Sequence, residues 1–147
     1  MRDFIEQQIV DVIRRLLTGK VNEILKEAQF AVPIIEFGTS INGFSVSPVI
    51  TLSSCERTEK ERIIWLDAYS LSITFELPET HESEYYCYAY AASVTQAVDE
   101  NSSLDGTVNK TVIINKKYIQ PKKSHCGEGW GLVLTFRVTV EGFGNDG

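Results

Sequence analysis

One stretch constrains this chain more than any other: residues 130–141 alternate with a period of two. Trp130, Leu132, Leu134, Phe136, Val138 and Val140 are apolar, while Gly131, Thr135, Arg137, Thr139 and Glu141 are not, and Val133 is the single exception. A helix repeats every 3.6 residues and cannot collect such a row on one side, whereas a strand places it on one face. The pattern therefore predicts a long strand with one face on a core and the other meeting water or a second surface. A polar loop at 120–129, carrying Lys122, Lys123, His125 and Cys126, leads into it from a strand expected over 107–118. This loop is basic and reaches outward, and nothing around it forms a catalytic apparatus. The chain reads as an assembly protein before it reads as an enzyme.

A second alternation spans residues 63–77. Ile63, Trp65, Tyr69, Leu71, Ile73, Phe75 and Leu77 form the apolar row, interrupted by Asp67. Ser70, Ser72, Thr74 and Glu76 make the opposite row polar, but Ile64, Leu66 and Ala68 make the first half apolar on both sides. Two-sided apolarity predicts burial on both sides, by the fold or by a neighbouring subunit. Residues 49–54 read as a further strand, limited by Pro48 to a strand start or an edge. Residues 55–61 read as a charged, hairpin-like connection.

The helical signals flank these strands. Ile5, Ile9, Val12, Ile13, Leu16 and Leu17 recur at three- and four-residue spacing, predicting an amphipathic helix over 3–17, with Gly19 as its stop. A shorter pattern with Val21, Ile24, Leu25 and Ala28 follows and ends by Pro33. Pro78 closes the strand at 63–77, and an acidic stretch opens a helix over 82–98 with Tyr85, Tyr86, Tyr88 and Tyr90 on it. The order of helix, strands, helix, strands lacks the alternation of a parallel α/β protein. We expect an α+β domain with a mostly antiparallel sheet and helices packed on one face. It is one domain over 1–147, with an N-terminal helical region at 1–30, a core at 31–141 and a frayed tail at 142–147.

Composition narrows the function. A net charge of −6 argues against tight nucleic-acid binding, which calls for clustered cations. No apolar run approaches the roughly 20 residues that span a bilayer, and the acids in the first helix exclude a signal peptide. Cys55, Cys87 and Cys126 are few, odd and widely spaced, which suits a reducing compartment. His125 and Cys126 are adjacent on a loop and point apart, the wrong geometry for a nucleophile and its base. His81, Cys87, His125 and Cys126 lack metal-ligand spacing. Glu56, Glu59, Glu61, Glu79, Glu82 and Glu84 read as solvated surface. No enzyme activity and no cofactor are expected. The cations Lys110, Lys116, Lys117, Lys122 and Lys123 concentrate charge in an otherwise acidic chain. They read either as a solubilising surface or as a contact for an acidic partner or passing DNA.

Taken in sequence, these features resemble the tail terminator, or tail completion, proteins of long-tailed bacteriophages and prophages. The likeness runs from the amphipathic helix through Trp65–Phe75, the tyrosine helix and the 107–114 strand to the lysine-rich segment 118–123 and the last strand, with a longer 33–61 region than a minimal member has. It implies a ring, commonly a hexamer, that stops growth of the tail tube and joins it to the head connector. The implied partners are other copies of the chain, the tail tube protein and the head–tail connector, with DNA passing without specific binding. The implied location is the virion tail and, during assembly, the host cytoplasm. Ile64, Leu66, Lys116, Lys117, Lys122 and Lys123 are the expected interaction residues. The competing readings are another connector or tube subunit, a small-ligand domain with Trp65, Tyr69 and the tyrosine helix lining its pocket, and an enzyme using Cys126.

Overall fold

The computed structural model describes residues 4–38, 45–77, 82–121 and 129–143. The chain begins with helix α1 (Ile5–Leu16), passes through a π-turn (Leu17–Val21) and continues as α2 (Asn22–Glu27). Two short strands, β1 (Ile34–Ile35) and β2 (Ser45–Val46), pair in parallel. The main sheet follows: β3 (Val49–Glu61), β4 (Ile64–Leu77), then helix α3 (Ser83–Glu100), β5 (Lys110–Ile119) and β6 (Trp130–Phe143). Its spatial order is β3-β4-β6-β5, and every neighbouring pair is antiparallel. The architecture is α+β with the helices on one face.

The two alternating rows meet in register. Phe75 pairs with Leu132, Ile73 with Leu134, Leu71 with Phe136 and Tyr69 with Val138. Seven of these eight side chains are 0% exposed, and the eighth, Tyr69, is 5% exposed. Helix α1 lays Ile9, Val12, Ile13 and Leu16 onto them, an i, i+3, i+4, i+7 stripe. Helix α3 lays down Tyr90, Val94 and Ala97, with the Tyr90 ring stacked on Phe75 at 4.8 Å and its hydroxyl donating to the Pro33 carbonyl. The Tyr69 hydroxyl donates to Glu6 at 2.7 Å and so ties the first turn of α1 to β4. Tyr85 and Tyr88 face outward from α3.

Several expected boundaries move. Gly19 does not stop the first helix. It lies inside the π-turn, where Thr18, a weak helix former, turns its hydroxyl back to the Arg14 carbonyl at 3.0 Å. The helical run ends after Glu27, before Pro33 is reached, and Gln29 takes a φ of 59° just beyond it. Residues 55–61 are not a connection but the distal half of β3, and the turn falls at Arg62 and Ile63. Gly142 and Phe143 extend β6 rather than fraying, whereas 144–147 lie outside the described residues.

The π-turn delivers a contact that has no signature in the sequence. The Asn22 amide donates to the Ile35 carbonyl and accepts from the Ile35 N–H, both at 2.8 Å, as a neighbouring strand would. Ile35 is 1% exposed, so water cannot replace this partner. Asn22→Ala should therefore destabilise the domain by about 2–4 kcal/mol, since each buried backbone group left unpaired costs ~1–3 kcal/mol. Leu134→Asp should prevent folding altogether, because a buried unpaired carboxylate costs an amount of the order of total stability. Denaturant melts check both, and an unchanged midpoint for either variant would contradict this packing.

Candidate assembly surfaces

Helix cover stops partway along the sheet. Tyr69 is the last core position of β4, and from Ile64 to Ala68 the strand is only half-buried. Opposite it, β3 is exposed from Ser53 to Glu61. The β3–β4 hairpin, with β6 from Thr139 to Phe143 laddered along it, thus forms an arm that reaches about 17 Å beyond the core, at ~3.4 Å for each of the residues from Ile64 to Ala68.

The arm is stiffened by cross-strand pairs in place of a core. On its helix-side face Arg57 grips Asp67 through two hydrogen bonds of 2.6 and 2.8 Å, directly across the ladder. The same guanidinium lies over the Trp65 ring, 5.6 Å from its centroid. Asp67, the interruption in the apolar row, is therefore a structural partner. Its carboxyl is held below the usual range, chiefly by the hydrogen bonds from Arg57. On the outer face Lys60 reaches Glu141 at 3.1 Å, binding the arm to β6. Ile64 and Leu66 stand on that outer face, with Leu66 between Thr58 and Glu141.

The expected interaction residues do not converge. Ile64 and Leu66 sit at the arm, whereas Lys116 and Lys117 pair with Leu134 and Val133 towards the other end of the sheet. About seven strand positions separate the Leu66 and Lys116 levels, on the order of 23 Å. Lys116 and Lys117 belong to strand β5, an edge of the sheet. Lys122 and Lys123 lie outside the described residues, as do His81, Glu79, His125 and Cys126.

The chemical candidates are scattered. Cys55 is exposed on β3 opposite Tyr69, and its thiol is pushed up by burial and by the Asp67 charge. Cys87 is on the buried side of α3, with its thiol raised to about 11 by desolvation. A reactive thiol is shifted the other way. Glu56, Glu59 and Glu61 are exposed, and Glu82 and Glu84 accept from the Tyr86 and Tyr88 hydroxyls at 2.8 Å. Among the described residues no three His, Cys, Asp or Glu side chains are grouped to hold a metal ion. No described helix is long and apolar enough to cross a membrane. The aromatics proposed for a ligand pocket are dispersed: Trp65 lies under Arg57, the Tyr69 hydroxyl is used by Glu6, and Tyr90 is stacked on Phe75. A groove of about 550 Å³ lined by Leu25, Phe30, Val32 and Ile34 opens elsewhere, beside α2.

The depressed Asp67 carboxyl gives the arm a pH signature. A folded-state pKa below the unfolded value contributes stability above the unfolded pKa of ~3.9, and that stability is lost as pH falls through the folded value. Asp67→Asn should remove it at neutral pH and speed amide exchange across the arm tip while leaving exchange in α1 and α3 unchanged. Equal exchange in variant and wild type would show that the pair does not stiffen the arm. Comparison of the chain with models of known protein families and with characterised proteins finds no match.

Proposed function

We propose that this chain is a tail terminator of a long-tailed bacteriophage or prophage, working as a ring of identical subunits that caps the tail tube and meets the head connector. The observation that carries this reading is the one-sided sheet with an arm that outruns its own helices. A monomer has no use for Ile64, Leu66 and Ala68 on the outer face of a hairpin whose other face carries Trp65. A neighbouring subunit would finish their burial. Closed rings are how repeated head-to-tail contacts stop growing.

The uncovered face of the sheet suits DNA that passes without being held. Ser70, Ser72 and Thr74 of β4 lie beside Thr135 and Thr139 of β6 on that face. Hydroxyls keep such a wall hydrated, and its cations Arg137, Lys110 and Lys117 share the face with the acids Glu56, Glu76 and Glu141, which repel phosphates. Localisation to the virion tail, with assembly in the host cytoplasm, follows from this role.

Light scattering and electron microscopy of the purified protein, alone and with tail tubes, test the reading. The expected result is a single ring species, commonly a hexamer, that caps tubes. Open-ended filaments would identify a tube subunit, and a protein monomeric under both conditions would overturn the ring. Leu66→Glu should keep the melting midpoint within ~1 kcal/mol, as for a half-exposed site, yet abolish the ring. A ring that survives the substitution would remove the arm from the interface.

A further inference from the structure

We propose that the two edges of the main sheet are complementary halves of one contact between copies of this chain, with β5 of one copy adding antiparallel to β3 of the next. The proposal deepens the ring reading and rests on it only for closure. Three observations on the two edges carry it.

The first is strand direction. The order β3-β4-β6-β5 is antiparallel throughout, so β5 runs opposite to β3. A copy repeated side by side brings β3 next to β5 with the alternation unbroken. Neither outer side has a strand partner among the described residues, and such edges are templates for added strands.

The second is charge. Strand β3 carries Glu56, Glu59 and Glu61, and none of them has an ion pair among the described residues. Its own cations Arg57 and Lys60 are taken by Asp67 and Glu141, leaving only Arg62 in the turn. Strand β5 carries Lys110, Lys116 and Lys117, likewise without ion pairs there, and no acid. At one level the faces match as well. Glu56 and Lys110 share the Ala68–Thr139 level and both stand on the outer face, whereas Glu59 and Glu61 lie towards the arm tip and Lys116 and Lys117 at the level of Ile50 and Val49, near the opposite end of the sheet. Pairing β5 with β5, or β3 with β3, would set like charges against each other, which is destabilising across a ladder.

The third is shape. Each edge carries a bulge at the same height, between Leu52 and Ser54 on β3 and between Ile113 and Asn115 on β5. Both flank the Leu71–Phe136 rung of the central strands. Bulges bend and twist a strand, so the two edges bend at one level. The exposed Val112 and Ile114 beside the β5 bulge supply the apolar contact.

A charge exchange tests the pairing. One variant carries Lys110→Glu and the other carries Glu56→Lys. Both side chains are exposed, and unchanged melting curves would establish that both variants fold. Each variant alone then sets like charges against each other at that level, and its self-association should weaken at least tenfold by native mass spectrometry. The equimolar mixture should restore oligomers of alternating copies, which an even-numbered ring admits. Folded variants that each assemble like the wild type, or a mixture no better than its parts, would overturn the pairing. Tail capping by the same samples separates the two claims: a mixture that assembles without capping tails would sink the tail reading and leave the edges paired.

Discussion

Everything in this domain hangs on the contact between β4 and β6. Leu71 against Phe136, Ile73 against Leu134 and Phe75 against Leu132 form a buried floor on which both α1 and α3 rest. These strands are central, each paired on both sides, so their backbone groups are satisfied while their side chains are sealed on one face. The outer face of the same strands receives no cover among the described residues. Serine and threonine there meet water at little cost, and the domain can be stable while half of its sheet stays open.

That asymmetry sets where function can sit. A sheet covered on one face leaves two kinds of surface, the open face and the edges. Both remain available because the helical layer ends near Tyr69 and does not extend over the arm. The arm keeps its shape by the Arg57–Asp67 and Lys60–Glu141 pairs, which are exposed and individually weak. Such a segment is held by local pairs and opens more readily than the core, which suits an element that settles against a neighbour.

The sequence made the core legible because the core is periodic. Rows at 63–77 and 130–141 gave the central strands, their inward faces and the helical layer above them. Residues 55–61 were illegible for the converse reason. An edge strand exposed on both faces has no apolar period, and its charges resemble a loop. Lys116 and Lys117 fall within the strand expected over 107–118 and continue β5. The Asn22–Ile35 clamp joins residues 13 apart and depends on the π-turn, so no local pattern announces it. Asp67 looked like a fault in an apolar row until Arg57 was placed across from it. Of the expected interaction residues, the apolar pair and the strand lysines proved to lie on separate regions of the sheet.

The central claim is that copies of the chain occupy the open edges. Amide hydrogen exchange, measured on the same protein dilute and at assembly concentration, tests it most directly. The account predicts that the amides of β3 and of β5 slow together as oligomers form, while those of the central strands β4 and β6, already bonded within the subunit, do not change. Exchange at both edges that is independent of concentration, in samples whose mass shows assembly, would contradict it.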